Sequence, residues 1–157
     1  MKRVLVFTVV LLLGAACSVP GERPAATKKA VATPEKPADE SHRFPKAERV
    51  KTEIVDNHLL GKDFLPGGNL AEYQRGKQTY RLFLIRTRSN DRAALLMFKF
   101  KGKLADAKFV PHMGGYFGHD GDQPTLLFCL ERFLVGVMGL PLEQADPIAR
   151  EFAARLR

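Results

Sequence analysis

The side chains best suited to chemistry gather in one short stretch, where His112, His119, Asp120 and Asp122 are interleaved with Gly114, Gly115, Gly118 and Gly121. Imidazoles and carboxylates together are the raw material of metal sites and of acid–base catalysis. Zinc needs three or four converging ligands, and here two histidines stand seven residues apart across a glycine-rich run. Asp120-Gly121-Asp122 opens like a calcium loop only faintly, because oxygen-bearing side chains are missing from the Leu126-Leu127-Phe128 that follows. The plain alternative is the polar tip of a β-hairpin. His112, His119, Asp120 and Asp122 are therefore the candidate ligand-binding residues, and no metal is expected on them.

Other reactive groups are sparser. Ser18, Ser41 and Ser89 have no neighbouring base, and there is no Gly-x-Ser-x-Gly turn. Glu131 lacks a second carboxylate to work against. Cys129 sits inside Thr125-Leu126-Leu127-Phe128-Cys129-Leu130, where a thiol behaves as a small buried hydrophobe. Arg81, Arg86, Arg88 and Arg92 cluster where a strand gives way to a helix, a place that could meet an anion or be ordinary surface charge. No catalytic constellation and no cofactor motif is present, so the expectation is a protein that is not an enzyme.

The remaining reactive group is Cys17, and the residues before it define its setting. Met1-Lys2-Arg3 is a short basic lead, and Val4 through Ala16 is an unbroken apolar or small run. That is the anatomy of a secretory signal, too short for the roughly 17–25 residues of a membrane-spanning helix. Leu13-Gly14-Ala15-Ala16-Cys17 resembles the lipobox of bacterial lipoproteins, with Leu13 four places before the cysteine instead of the usual three. The resemblance covers the first 17 residues. It implies cleavage before Cys17, a diacylglyceryl thioether on its sulfur, and an acyl chain such as palmitate on the new amino terminus. Two or three chains, at about 0.8 kcal/mol per buried methylene, anchor a protein durably. In that family a residue other than Asp after the cysteine, here Ser18, directs the protein toward the outer membrane. The implied address is the cell envelope, lipid-anchored outside the cytoplasm on the periplasmic face of an outer membrane.

Removing sixteen residues from 157, with Lys2 and Arg3 among them and no acids, leaves 141 residues and lowers the net charge from +8 to +6. One domain is expected at that size. A mild basic excess in a membrane-anchored chain suits anionic envelope components, and a secreted chain without a reading motif is not expected to bind nucleic acid. With Cys17 lipidated, Cys129 has no disulfide partner.

The elements that would position these residues follow in order. Residues 17–47 carry Pro20, Pro24, Pro34, Pro37 and Pro45 with Ala, Thr and mixed charge, and read as a disordered tether that includes His42 and Phe44. Residues 48–157 read as a single α+β domain. Val50, Ile54, Val55, Leu59 and Leu60 are spaced like one face of a short helix. Gly67-Gly68 marks a turn with positive φ, and residues 70–74 and 79–87 form a hairpin. Ser89-Asn90-Asp91 caps a helix beginning near Arg92. Residues 109–118 form a strand with a bend, and 125–130 and 133–138 complete an antiparallel meander in which Gly136 admits close packing. A terminal helix starts at Asp146-Pro147, with Ile148, Ala149, Phe152 and Leu156 on its buried stripe. The expected architecture is an antiparallel sheet of about five strands with two helices packed against it. Residues 65–157 also resemble an uncharacterised bacterial domain in their strand, Asp91-Arg92-Ala93 helix start, glycine-bearing strand, hairpin and final helix, and that resemblance brings no activity.

The preferred function is a non-enzymatic envelope lipoprotein that binds a partner protein or an anionic envelope component. The alternative is an enzyme or ligand-sensing module with its site near Gly114–Asp122.

Overall fold

Strand formation dominates wherever β-branched and aromatic residues alternate with charge. The computed structural model describes residues 36–157. The expected signal, the expected lipidation of Cys17 and the expected tether up to residue 35 lie outside the described residues. Seven strands form one antiparallel sheet: β1 (Arg49–Asn57), β2 (Pro66–Arg75), β3 (Gln78–Arg86), β4 (Ala105–Val110), β5 (Gly115–Asp120), β6 (Gln123–Leu130) and β7 (Phe133–Met138). Their order is β1-β2-β3-β7-β6-β5-β4. Two meanders are thus joined edge to edge through β3 and β7, and α1 (Asn90–Lys101) makes the crossover. Helix α2 (Leu142–Ala154) closes the fold.

The strand number exceeds the expected five for two local reasons. Val50, Thr52, Ile54 and Val55 are β-branched, so the segment expected as a helix extends instead as β1 and pairs with β2. Its Lys51 and Glu53 keep this sheet edge charged and wet. The segment expected as one bent strand is two. A 3-10 turn at Pro111–Met113 and Gly114 at φ +59° fold β5 back on β4, with Phe109 opposite Tyr116.

Successive residues of β3 point to opposite faces. Tyr80, Leu82 and Leu84 meet Val135, Val137 and the α2 residues Ala145, Ile148, Ala149 and Phe152 in one core. Phe83 and Ile85 meet Leu134, Leu127 and the α1 residues Met97 and Phe100 in the other. One helix therefore covers each face, giving three layers. Ser89 caps α1 as expected, its Oγ accepting from the Arg92 N–H at 3.3 Å. Helix α2 starts a turn earlier than Asp146-Pro147 suggests, at Leu142 after Pro141, and carries Pro147 within it.

Two glycine assignments resolve differently. Gly67 and Gly68 lie inside β2 and not in a turn; a side chain at Gly68 would press within 2.8 Å of the Leu84 carbonyl oxygen. Gly136 does admit close packing, because the Phe83 ring lies where its side chain would stand.

The end of the expected tether also lies against the domain. Phe44 is fully buried and stacks on Phe152 with centroids 5.0 Å apart. Glu40 is buried too: its N–H donates to Asn69 Oδ1 at 3.0 Å, and Asn69 Nδ2 donates to the Ala38 carbonyl at 2.9 Å.

Candidate functional site

The expected polar cluster is divided by the sheet. His112, in the 3-10 turn, directs Nε2 at Asp146 Oδ1 on α2, and Asp146 also accepts from Arg150 Nε at 2.8 Å. Burial pushes the Asp146 carboxyl up, but the hydrogen bond from His112 and the charge of Arg150 outweigh it and hold it below its ordinary value. His119 and Asp120 are neighbours on β5 and so face opposite ways. His119 stands edge-on to Phe117, while Asp120 accepts from Lys62 Nζ at 2.8 Å. That ammonium lies 5.2 Å from the Phe100 ring centroid, on the α1 side. Asp122 is exposed in the turn beyond. The four candidates do not converge, and among the described residues no group of three or more His, Cys, Asp and Glu is placed to hold a metal ion.

Cys129 is half-buried against the α1-side core, and burial pushes its thiol up to about 11. Glu131 occupies the tight β6–β7 turn at φ +50°. Ser41 hydrogen-bonds Asp39, and Ser89 is spent on the helix cap.

The arginine cluster separates into two places. Arg81 donates to Gln123 Oε1 at 2.8 Å and borders a recess of about 290 Å³ beside Tyr73 and Tyr80. Arg86, Arg88 and Arg92 border a larger cleft of about 810 Å³. One wall of that cleft is the end of β3, and the outer turns of α1 form the next with Arg92, Leu95, Leu96 and Lys99. The loop into β2 supplies Asp63, Phe64 and Leu65, and the β6–β7 turn supplies Arg132. Lys36 and His58 complete the rim. Six Lys and Arg side chains thus share the cleft with a single carboxylate, Asp63.

Local chemistry builds this wall. His58 and Leu60 adopt left-handed φ of +53° and +59°, which turns the chain sharply after β1. Arg86 Nη1 donates to Glu40 Oε1 at 3.0 Å, and Arg43 Nε donates to Glu40 Oε2 at 2.6 Å, which ties the leading segment to the sheet. The Thr87 N–H donates to the Arg132 carbonyl at 2.8 Å and its Oγ1 donates to the Ser89 carbonyl at 2.7 Å, which brings the β6–β7 turn to the start of α1. Glu40 answers the charge of Arg86, and the cationic excess around the cleft favours a bound anion. Phe64, Leu65, Leu95 and Leu96 also line the cleft, so it suits an anion with an apolar part.

Sequence reasoning found Arg86, Arg88 and Arg92 but missed Lys36, Lys99 and Arg132. The spacing Arg86-x-Arg88-x-x-x-Arg92 was the visible signal; Lys99 is brought in by α1, Arg132 by the β6–β7 turn, and Lys36 by the leading segment that Asn69 and Arg86 hold. Compared with protein-family models, curated proteins and solved structures, the chain finds no match.

Proposed function

We propose that this chain is a non-enzymatic lipoprotein of the cell envelope, anchored through Cys17, whose domain binds an anionic envelope component in the cleft between β3, α1 and the loop into β2. The observation that carries the reading is one cleft lined by six cationic side chains, one carboxylate and the apolar Phe64, Leu65, Leu95 and Leu96. Charge-assisted hydrogen bonds from guanidinium groups are the strong way to hold phosphate or carboxylate. Among the described residues no helix is long and apolar enough to cross a membrane.

Two measurements test this. Labelling cells with an alkyne analogue of palmitate marks the wild type and leaves Cys17→Ser unmarked; equal labelling overturns the anchor. Titrating the purified chain with inorganic pyrophosphate shows saturable, salt-sensitive binding that weakens by at least about tenfold in Arg92→Glu/Lys99→Glu. Arg81→Glu, at the other recess, leaves it unchanged. Absence of binding, or equal loss in both variants, overturns the cleft.

A further inference from the structure

We infer that the outer face of α1, with the neighbouring aromatic residues of β4 and β5, docks the domain flat on an anionic bilayer surface. Leu95, Phe98 and Phe109 are 46%, 54% and 57% exposed, and exposed apolar residues carry meaning where they adjoin. They are not scattered. Tyr116 lies between the two phenylalanines, its ring centroid 6.1 Å from Phe98 and 5.4 Å from Phe109. Lys101 Nζ stands 5.4 Å from the Tyr116 centroid, so an ammonium rides on the aromatic group. At helical spacing Arg92, Leu95 and Lys99 continue the same outward stripe from Phe98 into the basic cleft.

Charge decides what covers this face. Between residues 90 and 103 stand Arg92, Lys99, Lys101 and Lys103 against one acid, Asp91. The other helix, α2 with its last turn, carries Glu143, Asp146 and Glu151 with Arg150 and Arg155, three acids against two bases. A second copy of the chain laid on the α1 face would set cations against cations. An anionic bilayer supplies the opposite charge to the lysines and an apolar boundary to the phenylalanines, and interfacial helices use both contributions. Tyrosine with its polar tip suits the same headgroup depth.

This inference rests on the envelope reading only for the presence of a bilayer; its own footing is the aromatic face. The chain has no tryptophan, so Phe98→Trp introduces a single reporter. The full chain is reconstituted into vesicles of brominated phosphatidylcholine, alone or with one third phosphatidylglycerol. The expected result is a blue-shifted emission with at least about twofold quenching in the anionic vesicles and neither change in the neutral ones. Val50→Trp, on β1 at the far edge of the sheet, stays unquenched in both. Adding Lys99→Glu/Lys101→Glu to Phe98→Trp abolishes the quenching, and Phe109→Trp repeats it should Phe98→Trp lose its far-ultraviolet circular dichroism. Solvent-like emission in anionic vesicles overturns the inference, as does equal quenching at Val50, which reports the anchor alone. A concentration-dependent blue shift without lipid, with dimer in sedimentation, also overturns it in favour of a second copy. Quenching without pyrophosphate binding would defeat the cleft reading and leave this one standing.

Discussion

Replacing Gly136 by alanine is the sharpest single test of how the two meanders are joined. Gly136 lies on β7 directly opposite Phe83 of β3 and Leu127 of β6. An added methyl would stand 2.8 Å from Phe83 Cδ1 and closer still to Cε1 and Cζ, where ordinary contact begins near 3.4 Å. The ring would have to retreat by on the order of 1 Å against a core packed to crystal-like density. It has little room, because Phe83 is fully buried and stacks on Phe100 at 5.9 Å. Overpacking of this kind costs about 1–3 kcal/mol, and the upper end is expected where ring and backbone both resist. For a domain of this size that lowers the melting temperature by roughly 10 °C. The assay is thermal and urea unfolding of Gly136→Ala, Phe83→Leu and the double variant. The double variant should be less destabilised than the sum of the singles by about 1–2 kcal/mol, since the smaller side chain vacates the space the methyl needs. A Gly136→Ala protein melting within about 2 °C of wild type, or strict additivity, would refute the pairing of β3 with β7 in this register.

Three further outcomes follow from the same structure. Phe44→Ala should cost about 3–5 kcal/mol in urea unfolding and expose Arg43 and Lys46 to trypsin, because the stack on Phe152 holds the leading segment down; unchanged stability would return residue 44 to the tether. Cys129 should react with a disulfide reagent at pH 8 about 100-fold more slowly in the native chain than in urea, since a thiol held at about 11 instead of 9.0 has that much less thiolate. A native rate matching the denatured one would place the thiol at the surface. The Asp146 carboxyl is held low, so its contribution to stability is complete above the ordinary carboxylate range and is lost as pH falls through its lowered value. His112→Ala removes one cause of that lowering, and acid unfolding followed by circular dichroism should therefore begin at higher pH; an unmoved acid limb would mean the pair contributes nothing in solution.

The α2 stripe, the Ser89 cap, the hairpin of β2 and β3 and the pairing of β6 with β7 were all legible in the chain, because each depends on periodicity or on a residue beside its own partner. Cys129, expected as a small buried hydrophobe beside Leu127 and Phe128, is half-buried against the α1-side core. What was not legible depended on alternatives that local pattern leaves nearly equal. Val50 to Val55 fits a helical spacing about as well as a strand, and the pairing with β2 settles it. The run from Phe109 to Gly118 contains its own reversal, and only the antiparallel pairing of β4 with β5 shows that it is two segments.

The candidate site divides the same way. Residue types alone made His112, His119, Asp120 and Asp122 conspicuous, since chemistry can be read from side chains wherever they stand. Convergence cannot be read so. Alternation on β5 sends His119 and Asp120 to opposite faces, while the crossover through α1 draws Arg92 and Lys99 toward Arg132 and Lys36 from distant parts of the chain. The amino-acid order by itself determined the inventory, the net charge, the periodicities and the lipobox-like start. Only the tertiary structure decided which charges share a cleft and which aromatic residues stay at the surface, because a sheet places residues by register and face, and both are set by partners far away in the chain.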